Sequence, residues 1–101
     1  MPENVLIHAN SGDKVGLGHL VRCITLTKEL LSRNVRAELR LKDDEDAVAF
    51  ARENGITPTV SREETLLRDL STSSADMVVV DSYAFTSDDF RELAKQTVLV
   101  V

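Results

Sequence analysis

Val5-Leu6-Ile7-His8-Ala9, then Asn10-Ser11-Gly12-Asp13, then a helical apolar spacing that begins at Leu17: these opening segments decide the fold. The first is an apolar run of the length of a buried strand, and the second is rich in turn formers. From Leu17 the period changes. Leu17, Leu20, Val21, Ile24 and Leu31 share one helical face, which Cys23, Leu26 and Leu30 widen. The spacing predicts a helix to about Arg33 with Asn34 as its C-cap.

The rest of the chain repeats the theme. Residues 35–41 alternate, with Val35, Ala37, Leu39 and Leu41 set against Arg36, Glu38 and Arg40, which predicts a half-exposed strand near a sheet edge. Acidic residues early in 43–54 and Gly55 just past its end predict a helix. Residues 56–60 form a short strand whose Pro58 suits an edge position. Ser61 and Glu64 have the spacing of a capping box, opening a helix to about Leu70. Met77-Val78-Val79-Val80 is the strongest buried-strand signal, followed by the loop Asp81-Ser82-Tyr83. A helix over 86–95 and a last strand over 98–101 complete the pattern.

Strands alternating with helices mean a parallel sheet covered on both faces by right-handed crossovers. The most apolar strands, the first and fourth, belong at the centre. The expected fold is therefore an α/β, Rossmann-like doubly wound sheet of order 3-2-1-4-5, with its switch point between strands 1 and 4. At 101 residues and 43% apolar content, the chain fits one domain, spanning 1–101. The apolar run 98–101 at its end is read as a boundary inside a longer protein.

Charge and composition narrow the function. A net charge of -5 gives no counterion-release affinity for nucleic acid and disfavours an anionic membrane surface. Cys23 is the one cysteine, so no internal disulfide framework exists, which fits a reducing cytosol. Met1-Pro2-Glu3-Asn4 lacks the basic region and apolar run of a signal peptide, and no stretch has the ~20 apolar residues of a membrane helix. The expectation is a soluble cytoplasmic protein.

In a doubly wound sheet, ligands bind beyond the carboxyl ends of the strands at the switch point. Two loops meet there, Asn10 to Gly18 and Asp81 to Phe85, and the candidate residues lie on them or on the adjoining helical turn. Gly16 and Gly18 at a helix entry permit close approach of backbone to ligand. The string fails the dinucleotide pattern, since Val21 holds the third glycine position, and it fails the P-loop pattern, since no Lys-Ser/Thr follows. His19 in the first helical turn feels the positive end of the macrodipole, which disfavours imidazolium and suits a neutral base. Arg22, three residues on, shares its face and is suited to a phosphate or carboxylate. Asp81 is placed to orient His19 or to cap the loop, and Tyr83 to bond a sugar hydroxyl.

Other features read as structural. Cys23 lies on the apolar face, where free thiols are inert. The run Asp43-Asp44-Glu45-Asp46 is a solvated helix start, not a metal site. His8 is a satisfied strand residue.

The string Gly16-Leu17-Gly18-His19-Leu20-Val21-Arg22-Cys23, Leu26 in the Leu-rich helix after it, and Asp81-Ser82-Tyr83 after the Val-rich strand carry a resemblance. They resemble the N-terminal half of the UDP-sugar hydrolases of pseudaminic acid biosynthesis and the related spore-coat polysaccharide biosynthesis proteins. Both are similar to the glycosyltransferase-B class, with two Rossmann-like domains about a cleft. The resemblance implies that His19 is the general base activating water at the anomeric carbon, with no metal or cofactor. It also implies that Tyr83 lies beside the sugar and that a C-terminal domain holds the nucleotide. Gly16, Gly18, Arg22, Asp81 and Asn10 are then substrate-binding candidates.

The hydrolases carry Arg and Asp two residues apart at the end of the first strand, where this chain has His8 and Asn10. Transfer in place of hydrolysis therefore stays open, as does a non-catalytic structural or regulatory α/β domain. A phosphoacceptor receiver fits poorly, because the first strand ends in Asn10-Ser11 without an acidic pair. Apolar surface at the face of the absent domain and at the last strand's edge predicts a homodimer for the isolated chain.

Overall fold

The computed structural model describes residues 4–10, 18–81, 88, 89, 91 and 98–100. Its elements run β1 (Asn4–Ala9), α1 (Gly18–Ser32), β2 (Arg36–Lys42), α2 (Glu45–Glu53), β3 (Thr59–Ser61), α3 (Glu63–Ser71), β4 (Met77–Asp81) and β5 (Val98–Val100). The five strands form one sheet of order β3-β2-β1-β4-β5, every neighbouring pair parallel. This is the doubly wound Rossmann-like arrangement expected from the alternation. The helix expected over 86–95 lies outside the described residues except for Asp88, Asp89 and Arg91, which are helical.

Two apolar layers explain the order. On one face, Val5, Ile7 and Ala9 of β1 meet Leu20, Cys23 and Ile24 of α1, with Ala47 and Ala51 of α2 beside Leu39 and Leu41 of β2. On the other face, Leu6, Val78 and Val80 pack against Leu66 and Leu70 of α3. β1 contributes alternate residues to both layers, so five of its six residues are buried, as a central parallel strand requires. Each of these large side chains contributes about 1.5–3 kcal/mol by leaving water.

α1 turns most of the expected face inward, with Leu26 and Leu30 packed beside it, and departs from it at Val21, Leu31 and Thr27. Leu20, Cys23, Ile24 and Thr27 are buried, whereas Val21 and Leu31 are 45% and 46% exposed. Thr27 can replace a larger apolar residue because its hydroxyl donates to the Cys23 carbonyl at 2.7 Å. Asn34 follows the helix at φ 63, the left-handed conformation of a helix C-terminus. α2 opens at Asp44, whose side chain accepts from the amides of Asp46 and Ala47, so the acidic run serves as an N-cap and first turn.

β3 begins at Thr59, after Pro58, three residues later than expected, while Ile56 is buried ahead of it. The capping box expected at Ser61 and Glu64 does not form. Ser61 is the last residue of β3, paired with Lys42, and α3 starts from Arg62 with no side-chain cap. The Ser61 hydroxyl instead donates to Asp69 Oδ2 at 2.7 Å and accepts from Arg40 Nη1 at 2.8 Å. β2 is half-exposed and lies near the sheet edge, one place in from β3, both as expected. Among the described residues no helix is long and apolar enough to cross a membrane.

Candidate functional site

The winding reverses between β1 and β4, so their carboxyl ends frame the switch point. The Asn10 amide donates to the Asp81 carbonyl at 2.9 Å, which joins the two strand ends. Val79 packs into the α1 layer, so Asp81, two residues on, points to the same side of the sheet. There its carboxylate meets the first turn of α1.

Three candidate residues converge at that point. Asp81 is 1% exposed, a buried carboxylate that demands partners. His19 Nδ1 is in close hydrogen-bond contact with its Oδ1. Arg22 donates from Nε to Oδ2 at 3.1 Å and from Nη2 to Oδ2 at 2.9 Å, with a longer bond from Nη2 to Oδ1 at 3.3 Å. Helical spacing makes this possible: residues three apart lie on one face, so both side chains reach down to a single strand end. The Arg22 side chain remains 57% exposed and that of His19 14% exposed. One flank of the cluster is thus dry and the other open.

Arg22 was expected on a substrate anion, and the structure gives its guanidinium a protein partner. The signal was present in the sequence, since a carboxylate ending a buried Val run needs a cation. Gly18 is exposed and is the first residue of α1. A Cβ there would meet Arg22 Nη1 at 3.7 Å, an ordinary contact, so among the described residues no protein atom demands glycine. Asn10 is half-buried at the end of β1. Gly16 and Tyr83 lie outside the described residues.

Cys23 is buried behind this cluster. Its burial, with the negative charge of Asp81 nearby, pushes the thiol up to about 12, against a smaller opposing pull from Arg22. The group is a packed apolar residue, not a nucleophile. His8 faces the opposite side of the sheet, and its Nδ1 donates to the Arg40 carbonyl at 2.9 Å.

Sequence reasoning missed a second polar feature. A groove of about 620 Å³ lies over β2 and the end of α3, lined by Asn4, Arg36, Glu38, Arg40, Asp69 and Ser73 among others, and it shares no residue with the His19 cluster. The alternating charges of β2 were its signal. Arg40 there binds Glu38 at 2.9 Å and approaches Asp69 at 3.9 Å, while Thr59 donates to Glu38 at 2.8 Å. These charges are largely satisfied among themselves. Among the described residues no group of three His, Cys, Asp or Glu side chains is arranged to hold a metal ion.

No protein-family model matches the chain. It is similar to an uncharacterized protein of Methanocaldococcus jannaschii, 27% identical over 99 residues, covering 93% of this chain. The chain spans about a fifth, 20%, of that protein's length.

Proposed function

We propose that this chain is the sugar-binding N-terminal domain of a cytoplasmic nucleotide-sugar hydrolase, with His19 as the general base that activates water at the anomeric carbon. The observation that supports the reading best is the convergence of His19, Arg22 and Asp81 at the switch point of the sheet. A base needs a hydrogen-bonded partner to orient it and an open side toward substrate, and His19 has a buried carboxylate on one flank and is 14% exposed. The glycine at the helix entry adds support, because the described protein atoms give it no packing reason. In this reading a UDP-sugar lies across the helix entry, Tyr83 beside its sugar, and a second domain of the longer protein holds the nucleotide. Without that domain the chain is inactive and pairs with a second copy through exposed apolar surface.

The test is a backbone amide titration of the 101-residue chain with UDP-N-acetylhexosamine beside UDP alone. Shifts confined to Asn10, Gly16, Gly18, His19 and Tyr83, larger when the sugar is present, uphold the reading. Gly18→Ala should then weaken binding while leaving the fold intact. Equal shifts with UDP alone, or shifts spread over the β2 groove, count against it.

A further inference from the structure

We propose that Asp81 is a positioning residue that holds His19 as the Nδ1-protonated tautomer, and that Arg22 secures Asp81 in that role by forking the same carboxylate. This deepens the reading above and rests on it only in saying what His19 acts upon.

The argument starts from the contact between His19 Nδ1 and Asp81 Oδ1, which needs one proton between the two atoms. That proton belongs to the ring. Arg22 is a permanent cation whose planar fork matches an ionised carboxylate, and it donates to both oxygens of Asp81. An ionised carboxylate is acceptor-only, so the ring must donate. The opposite tautomer fails on the same geometry. It would set the Nδ1 lone pair against the lone pairs of Oδ1 in a site where Asp81 is 1% exposed and no water can intervene. Arg22 Nη2 also lies 3.1 Å from His19 Nδ1. With Nδ1 protonated, this is the side-by-side approach of two donors converging on one carboxylate.

The consequence is directional. With the ring neutral and Nδ1 carrying the proton, the lone pair is on Nε2, the nitrogen turned away from Asp81. A base built this way accepts through Nε2, and the helix start fixes where that atom lies. The carboxylate does not take the proton itself; it sets the tautomer and orientation of the ring.

Two-bond nitrogen–proton correlation on the chain labelled at its two histidines reads the tautomer directly. His8→Gln removes the other ring's signals and assigns those of His19. At a pH where both rings are neutral, we expect a protonated Nδ1 and a pyridine-like Nε2 in His19, with the Nδ1 proton far downfield. Asp81→Asn, in protein that remains folded, should move His19 toward the Nε2-protonated form, whereas Arg22→Gln should leave the tautomer and broaden the Nδ1 proton by faster exchange. An Nε2-protonated His19 in the parent chain overturns the proposal, and so does an Nδ1-protonated ring that persists in folded Asp81→Asn. Should Asp81→Asn not fold, the parent spectrum still decides. Arg22→Gln that leaves the Nδ1 exchange unchanged removes the part assigned to Arg22. None of these readouts depends on nucleotide-sugar binding, so they stand or fall apart from the titration above.

Discussion

His8 donates from Nδ1 to the carbonyl oxygen of Arg40 at 2.9 Å, across the strand pair β1–β2 and from a ring that is 2% exposed. Burial is the main force on this ring. It lowers the pKa below the usual 6.5, with Lys42 adding to the effect and the Arg40 hydrogen bond and the Asp81 charge opposing it. The unfolded chain therefore takes up a proton before the folded one does. The resulting stability is present above about pH 6.5 and is lost as the pH falls from there toward the folded pKa. Urea midpoints measured from about pH 8 down to pH 5 should fall in that window, and His8→Gln should flatten the fall.

Gly55 has φ +87, and a Cβ there would find the far end of the Lys28 side chain, Cε at 3.7 Å and Nζ at 4.0 Å. Backbone conformation, and not a clash, is thus what a side chain would meet. Gly55→Ala should cost about 1–2 kcal/mol in chemical denaturation. Asn34 sits at φ 63 and already bears that strain, so Asn34→Gly should be neutral or stabilising, and Asn34→Ala destabilising.

Asp44 and Asp43 are neighbours of the same charge with different work. Only Asp44 accepts from the amides of Asp46 and Ala47, at 3.1 and 3.3 Å. Asp44→Ala should cost about 0.5–2 kcal/mol by thermal or urea unfolding. Asp43→Ala should stay within about 0.5 kcal/mol of the parent. Equal losses would mean that the first-turn charge, and not the cap, stabilises α2.

Cys23 should be silent toward a thiol reagent in the folded chain. A thiol raised to about 12 carries almost no thiolate near neutral pH. Modification followed by mass spectrometry should stay slow in buffer and become fast in denaturant, with a rate in buffer that tracks the unfolded population.

The sheet was legible because its central strands are apolar on both faces, a pattern only a covered parallel sheet accommodates. The order followed from placing Val5–Ala9 and the Val run at the centre and the Pro-bearing strand outside. Finer features depended on partners distant in sequence. Ser61 and Glu64 have cap spacing, but Asp69 and Arg40 claim the Ser61 hydroxyl and strand pairing claims its backbone. Thr27 is buried on α1 because its hydroxyl reaches the Cys23 carbonyl, a partner that apolar spacing does not count. At the candidate site, His19 and Arg22 were readable as one helical face, and Asp81 as a strand end beside it. That His19 and Arg22 share the Asp81 carboxylate was set by how α1 crosses the sheet, which local spacing does not encode.

β1 comes ahead of the other described strands in sequence and lies in the middle of the sheet. β1 pairs with β2 on one side and with β4 on the other, where Val5 lies opposite Met77 and the Asn4 amide reaches Asp76 across 72 residues of chain. During synthesis one edge of β1 stays bare until β4 has left the ribosome, a long wait for an apolar strand with unmet hydrogen bonds. The β1–α1–β2 crossover can shield the other edge early, so assembly proceeds from the β2 side, and arrival of the Val run covers the second edge of β1 before β5 adds to β4. The switch point that frames His19 therefore comes into being only when β4 arrives.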